Sequence, residues 1–354
     1  MKTNHRTGRH SFAGMVCAGV ALLMATTISI QAQYAYFTLN VPGSSYSETY
    51  AYGFSGNNIV GSYENSSGFA QGFLYNGSSY TTLSVPGAAA TWAFGIDGNN
   101  IVGYYGNINA GQGYLYNGSS YTTLSVPGAT WTEAFGVSGN NIVGWYYNGS
   151  TWQGFLYNGS SYTTLAVPGA TWTEPFGISG NNIVGYYANS SGYDQAFLYN
   201  GSSYTTLNVP GVSYTAGYAG VPGAASPCAY GISGNNVVGS YENSSGQYQG
   251  YLYNGSSYTT LSVPSAAATW AWGIEGNSIV GYYGDGSGNT YGFLAVPVPE
   301  PSALELLVVG AAVSLVRRPS QAHRVYALAA ALMTFGQGWR RSKDTSAPRR
   351  ASNG

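Results

Sequence analysis

Nine carboxylates, Glu48, Glu64, Asp97, Glu133, Glu174, Asp194, Glu242, Glu275 and Asp285, are the only charged side chains between Gln33 and Pro297, a stretch without Lys, Arg or His. The chemistry open to such a segment is narrow. A serine nucleophile has no conventional activator there, a Schiff base has no lysine and a phosphate has no cationic clamp. Metal sites built on imidazole or paired thiolates are excluded as well, because Cys228 is the segment's one thiol and Cys17 lies upstream. What survives is carboxylate chemistry: two acids flanking a glycosidic bond, or acids beside aromatic rings that recognise sugar hydroxyls. No acid pair stands out from the background, so no catalytic residue, metal or cofactor is assigned and the segment reads as non-enzymatic. The run Asp285-Gly286-Ser287-Gly288-Asn289 alternates oxygen ligands as calcium loops do, yet it occurs once and reads as a glycine-rich turn. A formal charge of −9, from nine acids and no base, excludes a nucleic-acid partner, since phosphate binding needs cationic side chains.

The elements that position these residues come from a repeat. With 52 glycines, 15% aromatic and only 6% charged residues, the chain fits neither an ordinary globular composition nor a disordered one and points to a glycine-rich all-β protein. Ile/Val-Val-Gly ends at Gly61, Gly103, Gly144, Gly185, Gly239 and Gly281, at intervals of 41 or 42 residues with one of 54. Each unit reads as four short strands. In the second unit these are Ala93 to Ile96, Ile101 to Tyr105, Gly113 to Tyr116 and Tyr121 to Val126, with a Gly98-Asn99-Asn100 turn and an Asn117-Gly118 type I′ hairpin. Four strands in about 40 residues is the size of a propeller blade. The last unit stops after its third strand near Val296, and Tyr34 to Val41 at the other end supplies a fourth. The expected fold is therefore a six-bladed β-propeller of four-stranded blades closed by the N-terminal strand, with a β-solenoid as the alternative.

In a propeller whose first strands are innermost, the loops joining strand two to three and strand four to the next unit share one face. Those loops are expected to carry seven of the nine acids, leaving Asp97 and Glu275 opposite. They are also expected to hold Trp92, Trp131, Trp172 and Trp270, with Trp152 in a two-to-three loop. The candidate ligand-binding face is Trp92, Trp131, Trp172, Trp270, Glu133, Glu174, Glu64 and Glu242, where aromatic planes would stack on pyranose rings and acids would accept hydroxyl hydrogen bonds. The alternative is that the tryptophans wedge between blades and the acids keep the surface soluble. The long interval comes from an insertion over 210–229, in a loop of this same face.

Gly177-Ile178, Ile183-Val184-Gly185 and Ala196-Phe197-Leu198-Tyr199 resemble the HAF extracellular repeat, whose histidine position holds Gln71, Gln112, Gln153, Gln195, Gln249 and Tyr291 here. The resemblance implies an extracellular location. Lys2, Arg6 and Arg9 followed by an apolar stretch from Phe12 to Ile30 and by Ile30-Gln31-Ala32 read as a secretory signal peptide over 1–32, ahead of the repeat domain 33–297. Downstream, Pro299-Glu300-Pro301, the short hydrophobic segment 303–316 and the pair Arg317-Arg318 make residues 298–318 similar to a PEP-CTERM sorting signal; a basic tail, expected to lack structure, fills 319–354. This resemblance implies signal peptidase and an exosortase as export partners, transient membrane association through 303–316, and a place on the cell surface or in the exopolysaccharide matrix of a Gram-negative bacterium.

Three functions are compatible with the sequence: a structural or adhesive matrix protein, alternatively a lectin-like glycan-binding propeller, and more distantly a carboxylate-dependent carbohydrate enzyme. The export reading has a direct test. Intact-mass analysis of secreted protein from a host with an exosortase is expected to give a chain that starts near Gln33 and lacks Arg317; retention of Arg317 would count against it.

Overall fold

The computed structural model describes residues 34–45, 48–107, 110–210 and 227–298, which hold 24 strands in six four-stranded antiparallel sheets. The leader 1–32, the sorting residues Pro299, Glu300, Pro301, Arg317 and Arg318, the tail 319–354 and residues 211–226 of the insertion lie outside the described residues. After β1 (Tyr34–Leu39), the first blade is β2 (Thr49–Ser55), β3 (Asn58–Glu64), β4 (Ala70–Tyr75) and β5 (Tyr80–Leu83). The second is β6 (Ala90–Asp97), β7 (Asn100–Asn107), β8 (Ala110–Tyr116) and β9 (Tyr121–Leu124), and the third β10 (Trp131–Ser138), β11 (Asn141–Tyr147), β12 (Trp152–Tyr157) and β13 (Tyr162–Leu165). The fourth follows as β14 (Trp172–Ser179), β15 (Asn182–Ala188), β16 (Asp194–Tyr199) and β17 (Tyr204–Leu207), and the fifth as β18 (Cys228–Ser233), β19 (Asn236–Glu242), β20 (Tyr248–Tyr253) and β21 (Tyr258–Leu261). In the sixth, β22 (Ala268–Glu275), β23 (Ser278–Gly284) and β24 (Thr290–Pro297) are completed by β1, paired from Tyr34↔Pro297 to Leu39↔Gly292.

The first strands stand side by side around an axis, and β22 returns to β2. The molecule is thus a closed six-bladed propeller, and an open solenoid is excluded. Two glycine sets make the inner ring possible. A Cβ on Gly95 would overlap the Phe135 carbonyl of the next blade, so only glycine lets neighbouring first strands approach this closely. A bulge between Ala93 and Gly95 pushes the first strand toward the second, where a Cβ on Gly103 would overlap the Trp92 carbonyl oxygen. The repeated Val-Gly pair is the answer to that bulge.

Apolar side chains fill the space between blades. Val60, Leu83 and Val85 of the first blade pack with Ala93, Ile96, Ile101 and Tyr114 of the second, and burial of each such side chain contributes about 1.5–3 kcal/mol. Each blade is also latched to the next at the end of its first strand. Gly98 N donates to Ser55 Oγ at 3.3 Å, Gly139 N to Asp97 Oδ2 at 2.6 Å and Gly180 N to Ser138 Oγ at 3.2 Å. Gly234 N reaches Ser179 Oγ at 3.3 Å, Gly276 N reaches Ser233 Oγ at 3.1 Å, and Gly56 N closes the circle on Glu275 Oε2. Asp97 and Glu275, on the face opposite the other acids, are therefore joints of the ring.

Two local expectations change. The two-residue hairpin is at Gly98-Asn99, where Gly98 has φ +59° as a type II′ turn requires, whereas Asn117-Gly118 opens a four-residue loop. There Asn117 Oδ1 accepts from the backbone N–H groups of Ser119 (3.0 Å) and Ser120 (2.9 Å), so the asparagine serves as a side-chain cap of the loop.

Deleting Tyr34–Leu39 removes six residues of pairing from β24 and exposes the packing of Tyr34 and Tyr36 on the last blade. A loss of several kcal/mol in urea unfolding is expected, and unchanged stability would mean that the ring does not need its clasp.

Candidate functional site

Along each first strand the residues facing the axis follow the alternation of a β-strand. The lower of two stacked positions holds Tyr52, Phe94, Phe135, Phe176, Tyr230 and Trp272, one from each blade. Their rings form a closed circle. Centroids are 4.8 Å apart for Tyr52–Phe94, 4.5 Å for Phe94–Phe135 and 4.6 Å for Phe135–Phe176. The circle continues at 5.4 Å for Phe176–Tyr230, 4.0 Å for Tyr230–Trp272 and 4.8 Å for Trp272–Tyr52. These rings separate an 80 Å³ space lined by Gly53, Phe54 and their equivalents from a 320 Å³ cavity on the face where strand four crosses to the next blade.

The larger cavity is the candidate site. Its volume falls within the range of about 300–1,000 Å³ usual for small-ligand pockets. The upper of the two stacked positions holds Tyr50, Trp92, Glu133, Glu174, Cys228 and Trp270, and in four of the six blades the residue after the Val-Gly pair adds Tyr104, Trp145, Tyr186 or Tyr282 to the lining. Trp92 and Tyr104 stack at 4.4 Å and 14°, giving one wall a flat aromatic plate. From the next two blades, Glu133, Glu174 and Asp194 line the same cavity at 6%, 8% and 5% exposure.

Burial favours the neutral form of Glu133 and Glu174. Burial pushes Glu133 up to about 8, against a hydrogen bond that Trp131 Nε1 donates to its Oε1 at 2.7 Å, and Glu174 adds to the rise. Glu174 is pushed up to about 7 by burial, with a hydrogen bond from Tyr186 opposing and Asp194 reinforcing. Neutral carboxyl groups both donate and accept, which suits them to hydroxyl recognition. Burial also raises the Cys228 thiol, so it remains a protonated, unreactive wall group. Among the described residues no cluster of three or more His, Cys, Asp and Glu is arranged to hold a metal ion.

The structure brings together some of the eight residues singled out by sequence and separates others. Trp92, Glu133 and Glu174 line the cavity, on first strands and not in loops as expected. Trp131 also lies on a first strand; it orients Glu133 and covers Gly111 of the preceding blade. Trp172 packs edge-on against Tyr186 at 5.2 Å, and Trp270 is stacked on Tyr248 at 5.3 Å and Tyr282 at 5.0 Å, so both belong to the walls of the propeller rather than to loops. Trp152 begins β12 and meets Trp145 edge-on at 4.4 Å. Glu64 and Glu242 end β3 and β19, half-buried and outside the cavity lining. Sequence reasoning missed Asp194, Tyr104, Trp145 and Tyr186 as lining residues. The signal for three of them was present: in these blades the residue after Val-Gly is Tyr104, Trp145 or Tyr186. The glutamines at the HAF histidine position are structural, since Tyr105, Tyr146, Tyr187 and Tyr241 donate to Gln112, Gln153, Gln195 and Gln249 at 2.7–3.0 Å.

No protein-family model and no curated protein matches the chain. Among solved structures, the chain is similar to the lectin of Aleuria aurantia in complex with α-methyl-L-fucoside, at 13% identity and TM-score 0.39 over 77% of this chain and 97% of that one. It is also similar to the SapL1 lectin in complex with α-methyl fucoside, at 16% and 0.46 over 74% and 99%, and to the β-propeller domain of the Trilobed protease from Pyrococcus furiosus, at 8% and 0.40 over 72% and 97%. Overlaps of this order assign no ligand to the present chain.

The raised carboxyl values fix a pH dependence. Because folding raises both values above the ordinary 4.5, the unfolded chain sheds these protons first, and stability falls as pH rises from about 4.5 through 7 and 8. Chemical denaturation at about pH 5 and pH 9 is expected to differ by several kcal/mol, and Glu133→Gln should flatten much of that difference while keeping an acceptor for Trp131. An equal slope in the variant would show that Glu133 does not hold its proton.

Proposed function

We propose that this protein is a carbohydrate-binding propeller that holds a sugar unit in the central cavity. The observation that carries the reading is the pairing of the Trp92–Tyr104 plate with three buried carboxyl groups around one 320 Å³ space. The apolar face of a pyranose stacks on an aromatic plane, while its hydroxyls need groups that donate and accept in a site closed to bulk water. The ring of aromatic side chains closes the floor, so a ligand enters from one face only. Binding without turnover is the reading; Glu133 and Glu174 are the acids of the lining that a carboxylate-dependent hydrolysis of a glycosidic bond would use, and the release of reducing ends is the measurement that separates the two. Export through the leader, sorting by an exosortase and residence at the cell surface or in the matrix of a Gram-negative bacterium are part of the proposal, supported by the sequence resemblances at the two ends and in the repeats. A propeller attached to matrix polysaccharide would then serve adhesion through its binding site.

A glycan array is expected to show binding that Trp92→Ala weakens by about tenfold or more, with the far-UV spectrum of the variant unchanged. Prolonged incubation with the bound glycan is expected to release no new reducing ends. Equal binding by Trp92→Ala would move the site out of the cavity, and release of reducing ends would replace binding by hydrolysis.

A further inference from the structure

The charge census of the domain sets a problem that the sugar-binding reading leaves open. Glu133 and Glu174 are buried beside one cavity, and residues 34–297 contain no Lys, Arg or His to neutralise either of them. Buried acids are ordinarily paired, because an unpaired charge in an apolar site is strongly disfavoured. Every titratable group that faces Glu133 or Glu174 is itself neutral or acidic. Glu174 acts on Glu133, and Tyr186 and Asp194 act on Glu174; in turn Glu133 raises Tyr104, and Glu174 raises Tyr186 and Cys228.

We propose that the cavity selects a sugar carrying a free ammonium group, a deacetylated hexosamine, over its neutral and N-acetylated counterparts. This deepens the carbohydrate-binding reading and rests on it. Glu133, Glu174 and Asp194 come from neighbouring blades three and four and form one wall, and the ammonium group would be the positive charge the domain lacks. Trp92, Tyr104 and Tyr186 add aromatic surfaces whose π-electrons attract a cation. A cavity of 320 Å³ has room for a sugar ring beside the carboxyl groups. With acids and no base between Gln33 and Pro297, the domain is net negative even with Glu133 and Glu174 protonated, and it steers cationic chains toward the propeller before contact.

The signature of such a ligand is proton release. An ammonium group beside Glu133 and Glu174 favours their ionised forms, so binding at about pH 5.5, below both raised values and where the sugar's amino group is already protonated, expels protons that a neutral sugar leaves in place. Titration calorimetry of the protein with glucosamine, N-acetylglucosamine and glucose oligomers of equal length, in two buffers of different ionisation enthalpy, reads affinity and protons together. The glucosamine oligomer is expected to bind at least about tenfold more tightly than the other two and to release protons, and the double variant E133Q/E174Q to lose both the preference and the release. Equal or tighter binding of the neutral oligomers, without proton release, would overturn this inference and leave the carbohydrate reading standing. Binding of tetramethylammonium as tight as that of the glucosamine oligomer would overturn the sugar reading and, with it, the choice of an amino sugar. Absence of binding by all three oligomers would remove both.

Discussion

Six first strands can share one axis only if their backbones come closer than any side chain would allow. Gly53, Gly95, Gly136, Gly177, Gly231 and Gly273 stand at that approach, each with a neighbouring backbone where its Cβ would be. The bulge beside each of them turns the preceding aromatic residue to the axis, and the six rings meet there in one circle. Close approach, bulge and aromatic circle are one geometric solution. The Val-Gly pair of the second strand, the latches to Ser, Asp or Glu and the buried Val and Leu between blades all follow from holding that inner ring closed.

The same geometry separates what must repeat from what is free to differ. One level above the aromatic circle, the equivalent positions hold Tyr50, Trp92, Glu133, Glu174, Cys228 and Trp270, side chains of quite different chemistry on backbones of the same shape. Nothing in the packing of the ring asks for a carboxyl group there, and burial works against its charge. Acids on adjacent blades three and four, next to Trp92 and Tyr104 of blade two, make part of the cavity lining polar and part aromatic. A six-fold scaffold thus carries a site with a direction.

Much of the fold was legible because its constraints are local and recur. The spacing of Gly61, Gly103, Gly144, Gly185, Gly239 and Gly281 counts the blades, and the incomplete last unit matched by Tyr34 to Val41 shows the clasp that β1 forms with β24. The site was harder to read for a specific physical reason. The bulge between Ala93 and Gly95 breaks the two-residue alternation, so a strand judged from Ala93 onward loses its first half, while β6 begins at Ala90. Trp92, Glu133, Glu174 and Trp270 then look like loop residues, although they are the inner strand's axial side chains. Asn117-Gly118 misled in the opposite sense: a strong tight-turn signal is used here for a capped four-residue loop, because the paired Tyr116 and Tyr121 fix the loop length.

The absence of cations between Gln33 and Pro297 ties the scaffold to its site. A propeller of this kind is held by backbone pairing, aromatic contacts and small-residue packing, so it needs no ion pairs between blades; even the carboxylates of Asp97 and Glu275 are met by backbone N–H groups. A lysine or arginine near the cavity would neutralise Glu133 or Glu174 permanently and fill the polar wall with the protein's own charge. Leaving the domain without cations keeps those acids dependent on what enters. The hydrogen bonds from Trp131 to Glu133 and from Tyr186 to Glu174 offset part of the cost of burying these acids, and the rest of that cost is borne by packing and backbone pairing around the ring.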